Sequence, residues 1–177
     1  MLRAEAGKRL TVSIDGRCGS GKTSLAELLS ALFDCNVIHM DDFYLSPSRR
    51  KENWRQIPGG NIDFQRLKEE LLEPASRLLD AQYNAYSCQY GTMSPKAFDP
   101  SHPLTIVEGS YSQHPELRGF YDLTLFINLA EQLRIERLKR REGDYFSEFE
   151  RTWIPAEEFY LKSCAIEEKA DFLLDYV

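Results

Sequence analysis

The sequence predicts a three-layer α/β/α fold, a five-stranded parallel sheet covered by helices on both faces. Three observations predict it. Short β-branched runs alternate with segments of helical period along the chain. Those runs are apolar nearly throughout, as strands buried on both faces must be. The first run stops at a glycine-rich turn, and a helical pattern starts directly from that turn. A length of 177 residues suffices for one domain with its own core, and no repeat, low-complexity tract or linker divides it.

Leu10 to Asp15 reads as a buried strand. From Lys22 to Phe33, Leu25, Leu28, Leu29 and Leu32 recur at helical spacing with no Pro or Gly between them, which predicts an amphipathic helix. Asn36 to Met40 is a second strand, ending at Asp41-Asp42. The stretch from Leu45 to Gly60 holds Pro47, Pro58, Gly59 and Gly60 and reads as a mobile loop. Asp63 to Leu79 is helical, with Pro74 as a break or kink. Gln82 to Asp99 is polar and aromatic without helical period. Leu104 to Glu108 and Leu123 to Asn128 are the third and fourth strands. Glu131 to Arg141 is a basic amphipathic helix with Leu133 and Leu138 turned inward. Tyr145 to Lys169 is helical apart from a break near Pro155, and Asp171 to Tyr176 is a last strand.

Composition narrows the function classes. Hydrophobic and charged fractions of 42% and 28% are those of a soluble globular protein. A net charge of -6 argues against a general nucleic-acid binder. No apolar run reaches the ~18 residues that span a bilayer. The first nine residues lack the apolar core of a signal peptide, so a cytoplasmic, membrane-free protein is expected. Cys18, Cys35, Cys88 and Cys164 are scattered without a C-x-x-C pair, which suits free thiols and disfavours a zinc site.

Gly16-Arg17-Cys18-Gly19-Ser20-Gly21-Lys22-Thr23 fits the pattern G-x-x-x-x-G-K-[ST], between a strand and a helix as that pattern requires. Its glycines let the backbone curl so that N–H groups point at phosphate oxygens, and the following helix offers its positive end to the same anion. The fold class thereby sharpens to a P-loop NTPase fold with a helical lid. Gly16, Arg17, Cys18, Gly19, Ser20, Gly21, Lys22, Thr23 and Ser24 form the ATP-binding set, with Lys22 on the β- and γ-phosphates and Thr23 on Mg²⁺. Asp41 and Asp42 leave the second strand where ligands of open α/β sheets bind, and one of them can take a proton from an attacking hydroxyl. A solvated turn is the plainer alternative. Glu108 leaves the third strand as a carboxylate suited to Mg²⁺. Arg134, Arg137 and Arg141 share one helical face, where fixed positive charge suits a phosphoryl transition state or pairs with Glu131, Glu136 and Glu142.

Gly16 to Thr23, Asp41-Asp42-Phe43-Tyr44 and Ile106-Val107-Glu108-Gly109, in this order, resemble the uridine kinase family of P-loop nucleoside kinases, which includes nicotinamide riboside kinase and phosphoribulokinase relatives. Tyr83 to Cys88, Tyr121 to Ile127 and the arginines from Arg134 to Arg141 resemble further stations of that family. The resemblance implies Asp41 as the base on a ribose 5′-hydroxyl and Tyr44 as a nucleoside-pocket aromatic. It implies Asp63 on the ribose hydroxyls, Tyr86 against the base, and Thr23 and Glu108 as Mg²⁺ ligands. Lys22, Arg137 and Arg141 then act on the transferring group. It also implies an acceptor-binding insertion at about 44–100, a lid at about 134–152, and, as a family expectation, a homo-oligomer. Where the family's lid often continues Arg-Gly-Arg, this chain has Arg141-Glu142-Gly143-Asp144-Tyr145, and the family's histidine near the pyrimidine has no clear match after Tyr86. The acceptor stays open between uridine or cytidine, nicotinamide riboside and another small metabolite. A P-loop regulatory switch is the rival from another class.

Overall fold

The computed structural model describes residues 9–176. The N-terminal segment read for a signal peptide lies almost wholly outside them. Five parallel strands, β1 (Leu10–Gly16), β2 (Cys35–His39), β5 (Leu104–Glu108), β6 (Leu123–Leu129) and β7 (Phe172–Tyr176), form one sheet in the order β2-β5-β1-β6-β7. The chain leaves β1 for the edge at β2, returns to β5 between them, and then crosses β1 to β6 and β7. The strand order therefore reverses beside β1, the position at which open α/β sheets bind ligands.

Two apolar clusters cover the sheet. One face packs Ile14, Ala26, Ile106 and Ile127 against α1 (Lys22–Leu32). The other face carries the larger core, with Ile38, Phe43, Leu67, Leu71, Phe126 and Tyr160. Among the described residues no helix is long and apolar enough to cross a membrane. The four cysteines are free.

Several sequence expectations are corrected. Gln82 to Asp99 is an antiparallel hairpin, β3 (Ala81–Ser87) and β4 (Thr92–Phe98). Its inward face is Ala81, Tyr83 and Ala85, an alternation too weakly apolar to stand out. The predicted mobile loop after Leu45 contains short 3₁₀ turns and buries Trp54. Pro74 and Pro155 break nothing. Each is the second residue of a helical piece, α3 (Glu73–Ser76) and α6 (Ile154–Cys164), and the residue before each piece, Leu72 or Trp153, is itself helical, so the helical course runs on through the proline. A π-helical turn precedes each of them, Lys68–Leu72 after α2 (Phe64–Leu67) and Phe149–Trp153 after α5 (Phe146–Glu148). In α1, Leu28 and Leu32 face outward, and Leu25, Ala26 and Leu29 face the sheet. In α4 (Glu131–Glu142), Leu133 is exposed, and Arg134 joins Leu138 as a buried residue. The α4 N-terminal turn rests on polar loop backbone, so an arginine serves there better than a leucine.

Candidate active site

The glycine loop begins where β1 ends. A side chain at Gly16 would come within 2.3 Å of the Ile127 carbonyl oxygen of β6, and Gly16 has φ +148. At Gly19, φ +82, a side chain would meet the Arg134 carbonyl and the Leu138 side chain of α4. The loop is thus pressed between the sheet and α4, which only glycine backbone permits at these two points. Lys22 turns its ammonium into the curl, donating to the Gly16 carbonyl at 2.6 Å and the Arg17 carbonyl at 3.1 Å. Such a cradle, ringed by peptide dipoles and holding a buried ammonium, fits a polyphosphate.

Thr23 and Glu108 come together. The Thr23 hydroxyl donates to the Glu108 carboxylate at 3.2 Å, and the register sets Glu108 beside Ile14 of β1 and His39 of β2. His39 Nδ1 lies 2.6 Å from the same carboxylate, whose hydrogen bond raises the His39 pKa. Among the described residues no group of three or more His, Cys, Asp or Glu could hold a metal. The Thr23–Glu108 pair suits Mg²⁺ nonetheless, because that ion takes few protein oxygens and completes its shell with phosphate and water.

The two adjacent aspartates separate. Asp42 is buried and used up by the hairpin: it accepts from the Tyr83 hydroxyl at 3.2 Å and from Lys96 at 2.8 Å. Asp41 points the other way, open to solvent in a crowded recess. Enclosure by protein and the charge of Glu108 raise its pKa, opposed by Lys22, a hydrogen bond with Tyr44, and His39. Asp63 caps α2 by accepting from the Arg66 N–H and pairs with Arg49 at 2.9 Å. Its own N–H donates to the Phe43 carbonyl, so it sits one residue across from Tyr44. Tyr86 is half-buried on the face of β3 opposite Tyr83. Two residues on, burial and the Asp41 charge raise the Cys88 thiol pKa, which sets this end of the hairpin near Asp41.

The remaining loop and lid residues divide. Arg137 reaches the loop, its guanidinium 3.7 Å from where a Gly21 side chain would start. Arg141 pairs with Glu142 at 2.5 Å and lies over the Phe149 ring. Ser20 is buried with an unpartnered hydroxyl, and Ser24 is exposed on α1. Arg17 turns outward to Glu158 at 2.5 Å and Glu167 at 3.3 Å. The Cys18 N–H is taken by Glu157, and burial with that negative charge pushes the Cys18 thiol up to about 12, so it stays protonated.

Four residues that sequence reasoning missed lie against the loop or the Tyr44 recess. Asp15 is fully buried and accepts from the Gly16 N–H, the Gln113 N–H and the Tyr160 hydroxyl. Burial raises its pKa to about 6 against the pull of those donors and Lys22. Glu157 and Ser110 lie against the loop with no motif to mark them. Trp153 packs beside Tyr44: its ring lies 6.1 Å from Tyr44 and 5.3 Å from Trp54, with Arg50 over both indoles. Arg134, on the predicted arginine face, also meets the loop: its guanidinium donates to the Cys18 carbonyl at 3.3 Å.

Two clefts flank this centre. One, of about 440 Å³, lies at the ends of β6 and β7 beside Arg17, Asn128, Ala130, Arg134 and Tyr176. The other, of about 450 Å³, lies between Arg50, Trp54, Arg55, Tyr145 and Trp153.

Sheet order, phosphate cradle and the carboxylates at the strand ends define the P-loop kinase fold. No protein-family model matches the chain. Uridine-cytidine kinase C of Dictyostelium discoideum is 26% identical over 125 residues, 69% of this chain, and the chain spans 27% of that relative's length. A structure described as a possible uridine kinase from Bacillus stearothermophilus superposes with TM-score 0.76 at 24% identity, covering 97% of this chain and 91% of that one. Phosphoribulokinase from Rhodobacter spheroides gives 0.63 at 15% identity, covering 95% and 70%, and D-glycerate 3-kinase from Cryptococcus neoformans gives 0.61 at 15%, covering 95% and 86%. The resemblance carried by the sequence motifs is borne out as a similarity: the chain has the P-loop kinase fold and is similar in sequence to a uridine-cytidine kinase.

Proposed function

We propose that this chain is an ATP-dependent kinase that transfers the γ-phosphoryl group to a hydroxyl of a small acceptor, the 5′-hydroxyl of a nucleoside such as uridine or cytidine. The observation that carries the reading is the division of labour between Asp41 and Asp42. Asp42 anchors the hairpin, whereas Asp41, hydrogen-bonded with Tyr44, lies between the phosphate cradle and the aromatic recess. A carboxylate with a raised pKa in that position is placed to accept the acceptor's hydroxyl proton.

The peptide N–H groups from Gly19 to Thr23 hold the phosphates, and Lys22 neutralises them. Thr23 and Glu108 hold Mg²⁺, which supplies charge neutralisation when bound. Arg137 covers the transferring group, with Arg141 one turn further along the lid at about 134–152. The cleft at the ends of β6 and β7 takes the nucleoside end of ATP. Tyr44, Asp63 and Tyr86 orient the acceptor within the insertion at about 44–100, and the uridine-cytidine kinase relative supports a nucleoside there.

The test is ADP formation with MgATP and a panel of uridine, cytidine, nicotinamide riboside, ribulose 5-phosphate and D-glycerate. Turnover with uridine or cytidine supports the nucleoside reading. Turnover confined to another member of the panel replaces the acceptor and keeps the kinase. Slow hydrolysis unchanged by every acceptor points to a nucleotide switch instead.

A further inference from the structure

Two adjacent glutamates at the start of α6 grip the phosphate loop from outside. Glu158 holds the Arg17 side chain. Glu157 is 3% exposed, and its carboxylate accepts the Cys18 N–H at 2.8 and 2.9 Å and the Ser110 hydroxyl at 2.5 Å. Ser110 lies between Gly109, at φ +130, and Tyr111, a tyrosine held in the left-handed region at φ 75. The segment after β5 is thus bent out of its ordinary conformation where it meets Glu157. The Tyr44 and Tyr111 phenols both feel the Glu157 charge, which sets this carboxylate at the seam between the loop and the acceptor recess.

The same helical run has a second contact. Just before α6, Trp153 packs its ring at a tilt against Tyr44 and Trp54. One arm, the π turn Phe149–Trp153 continued by α6, therefore touches the acceptor-side aromatics at one end and the phosphate loop at the other.

We propose that Glu157 is a positioning residue for phosphoryl transfer. It fixes the Cys18 peptide, ties the phosphate loop to the segment after β5, and sets both against the arm that carries Trp153. Its reach matters and its charge does not. By charge alone, an anion held against a phosphate-binding loop opposes a nucleotide. Its hydrogen bonds, by contrast, satisfy a peptide N–H that would otherwise be left without a partner. Lys22 gives its protons to the Gly16 and Arg17 carbonyls, so the loop's cation is not spent on Glu157.

This inference rests on the reading that nucleotide phosphates occupy the loop. The experiment compares Glu157→Asp, which keeps the charge and withdraws it by one methylene, with Glu157→Gln, which keeps the reach and drops the charge. The readouts are the affinity for a fluorescent ATP analogue with Mg²⁺ and the melting temperature of each free protein. The expected result is a roughly tenfold weaker affinity for Glu157→Asp, one lost hydrogen bond, and an affinity within about threefold of wild type for Glu157→Gln. Unchanged affinity in Glu157→Asp, even with a lower melting temperature, overturns the proposal, because the carboxylate is then only a fold contact. A roughly tenfold tighter affinity in Glu157→Gln also overturns it, because the carboxylate is then a competitor of phosphate. Should Glu157→Asp fail to fold, Glu157→Gln decides alone: within threefold supports, and a tenfold change either way refutes. Wild-type protein that does not bind the analogue sinks the kinase reading itself, a result separate from either variant outcome.

Discussion

The proposed donor and acceptor halves of the site are built differently. The donor half is a continuous stretch, Gly16 to Thr23, whose geometry is set by backbone and by the strands on either side. The acceptor half is gathered from far apart in the chain: Asp41 and Tyr44 after β2, Asp63 before α2, the β3–β4 hairpin, and Trp153 before α6. A site made of backbone tolerates change in its neighbours and fails when its glycines are filled. A site made of separate side chains loses function piece by piece.

The largest effect expected tests the junction of the halves. Asp41→Asn should lower turnover about a thousandfold, within the range assigned to general-base catalysis, while ATP affinity stays within about twofold. Steady-state kinetics with parallel nucleotide titration measure both, and undiminished turnover removes Asp41 from the chemistry. Next comes the backbone cradle. Gly16→Ala puts a methyl into the Ile127 carbonyl, and nucleotide affinity should fall about a hundredfold with a lower melting temperature, read by calorimetric titration and thermal unfolding.

A smaller effect separates the halves. Lys96→Ala leaves Asp42 with only the Tyr83 hydroxyl, loosening the hairpin; the acceptor KM should rise about tenfold with the ATP KM unchanged. Equal changes in both would mean that the halves are not independent. The smallest effect is on stability alone. Asp15 has its pKa raised from 3.8 to about 6, so the folded protein holds its proton more tightly than the unfolded chain. Its contribution is full below about pH 4 and is lost as pH rises through about 6. Urea unfolding of the wild type between pH 4 and 7 should show this decline, and Asp15→Asn, which stays neutral, should flatten it.

Legibility in the sequence followed the same division. The cradle, the strand ends and the sheet were readable because each is local: a run, a turn or a period within ten or so residues. Glu108 was readable as an acid leaving an apolar strand, and its partner Thr23 came from the loop motif. The hairpin was hidden because alanine and tyrosine alternate too softly with glutamine and asparagine. Asp41 and Asp42 could not be told apart, since the difference lies in Lys96 and Tyr83, which the fold supplies. Glu157 and Trp153 sit in a helix whose apolar positions advertise only packing, and their targets are distant in the chain.

The π turn at Phe149–Trp153 acts as a phase shifter. A wide turn accommodates one residue more than an α turn and so changes which way every later side chain of the helix points. Upstream of α6, Trp153 faces the acceptor aromatics. Downstream, Glu157 and Tyr160 face Cys18 and Asp15. Deleting a single residue within the turn would restore the α-helical count and rotate α6 by about 100° relative to what precedes it. The buried Phe146 before the turn and Glu157 after it could then not both keep their places, although every remaining residue would still favour a helix.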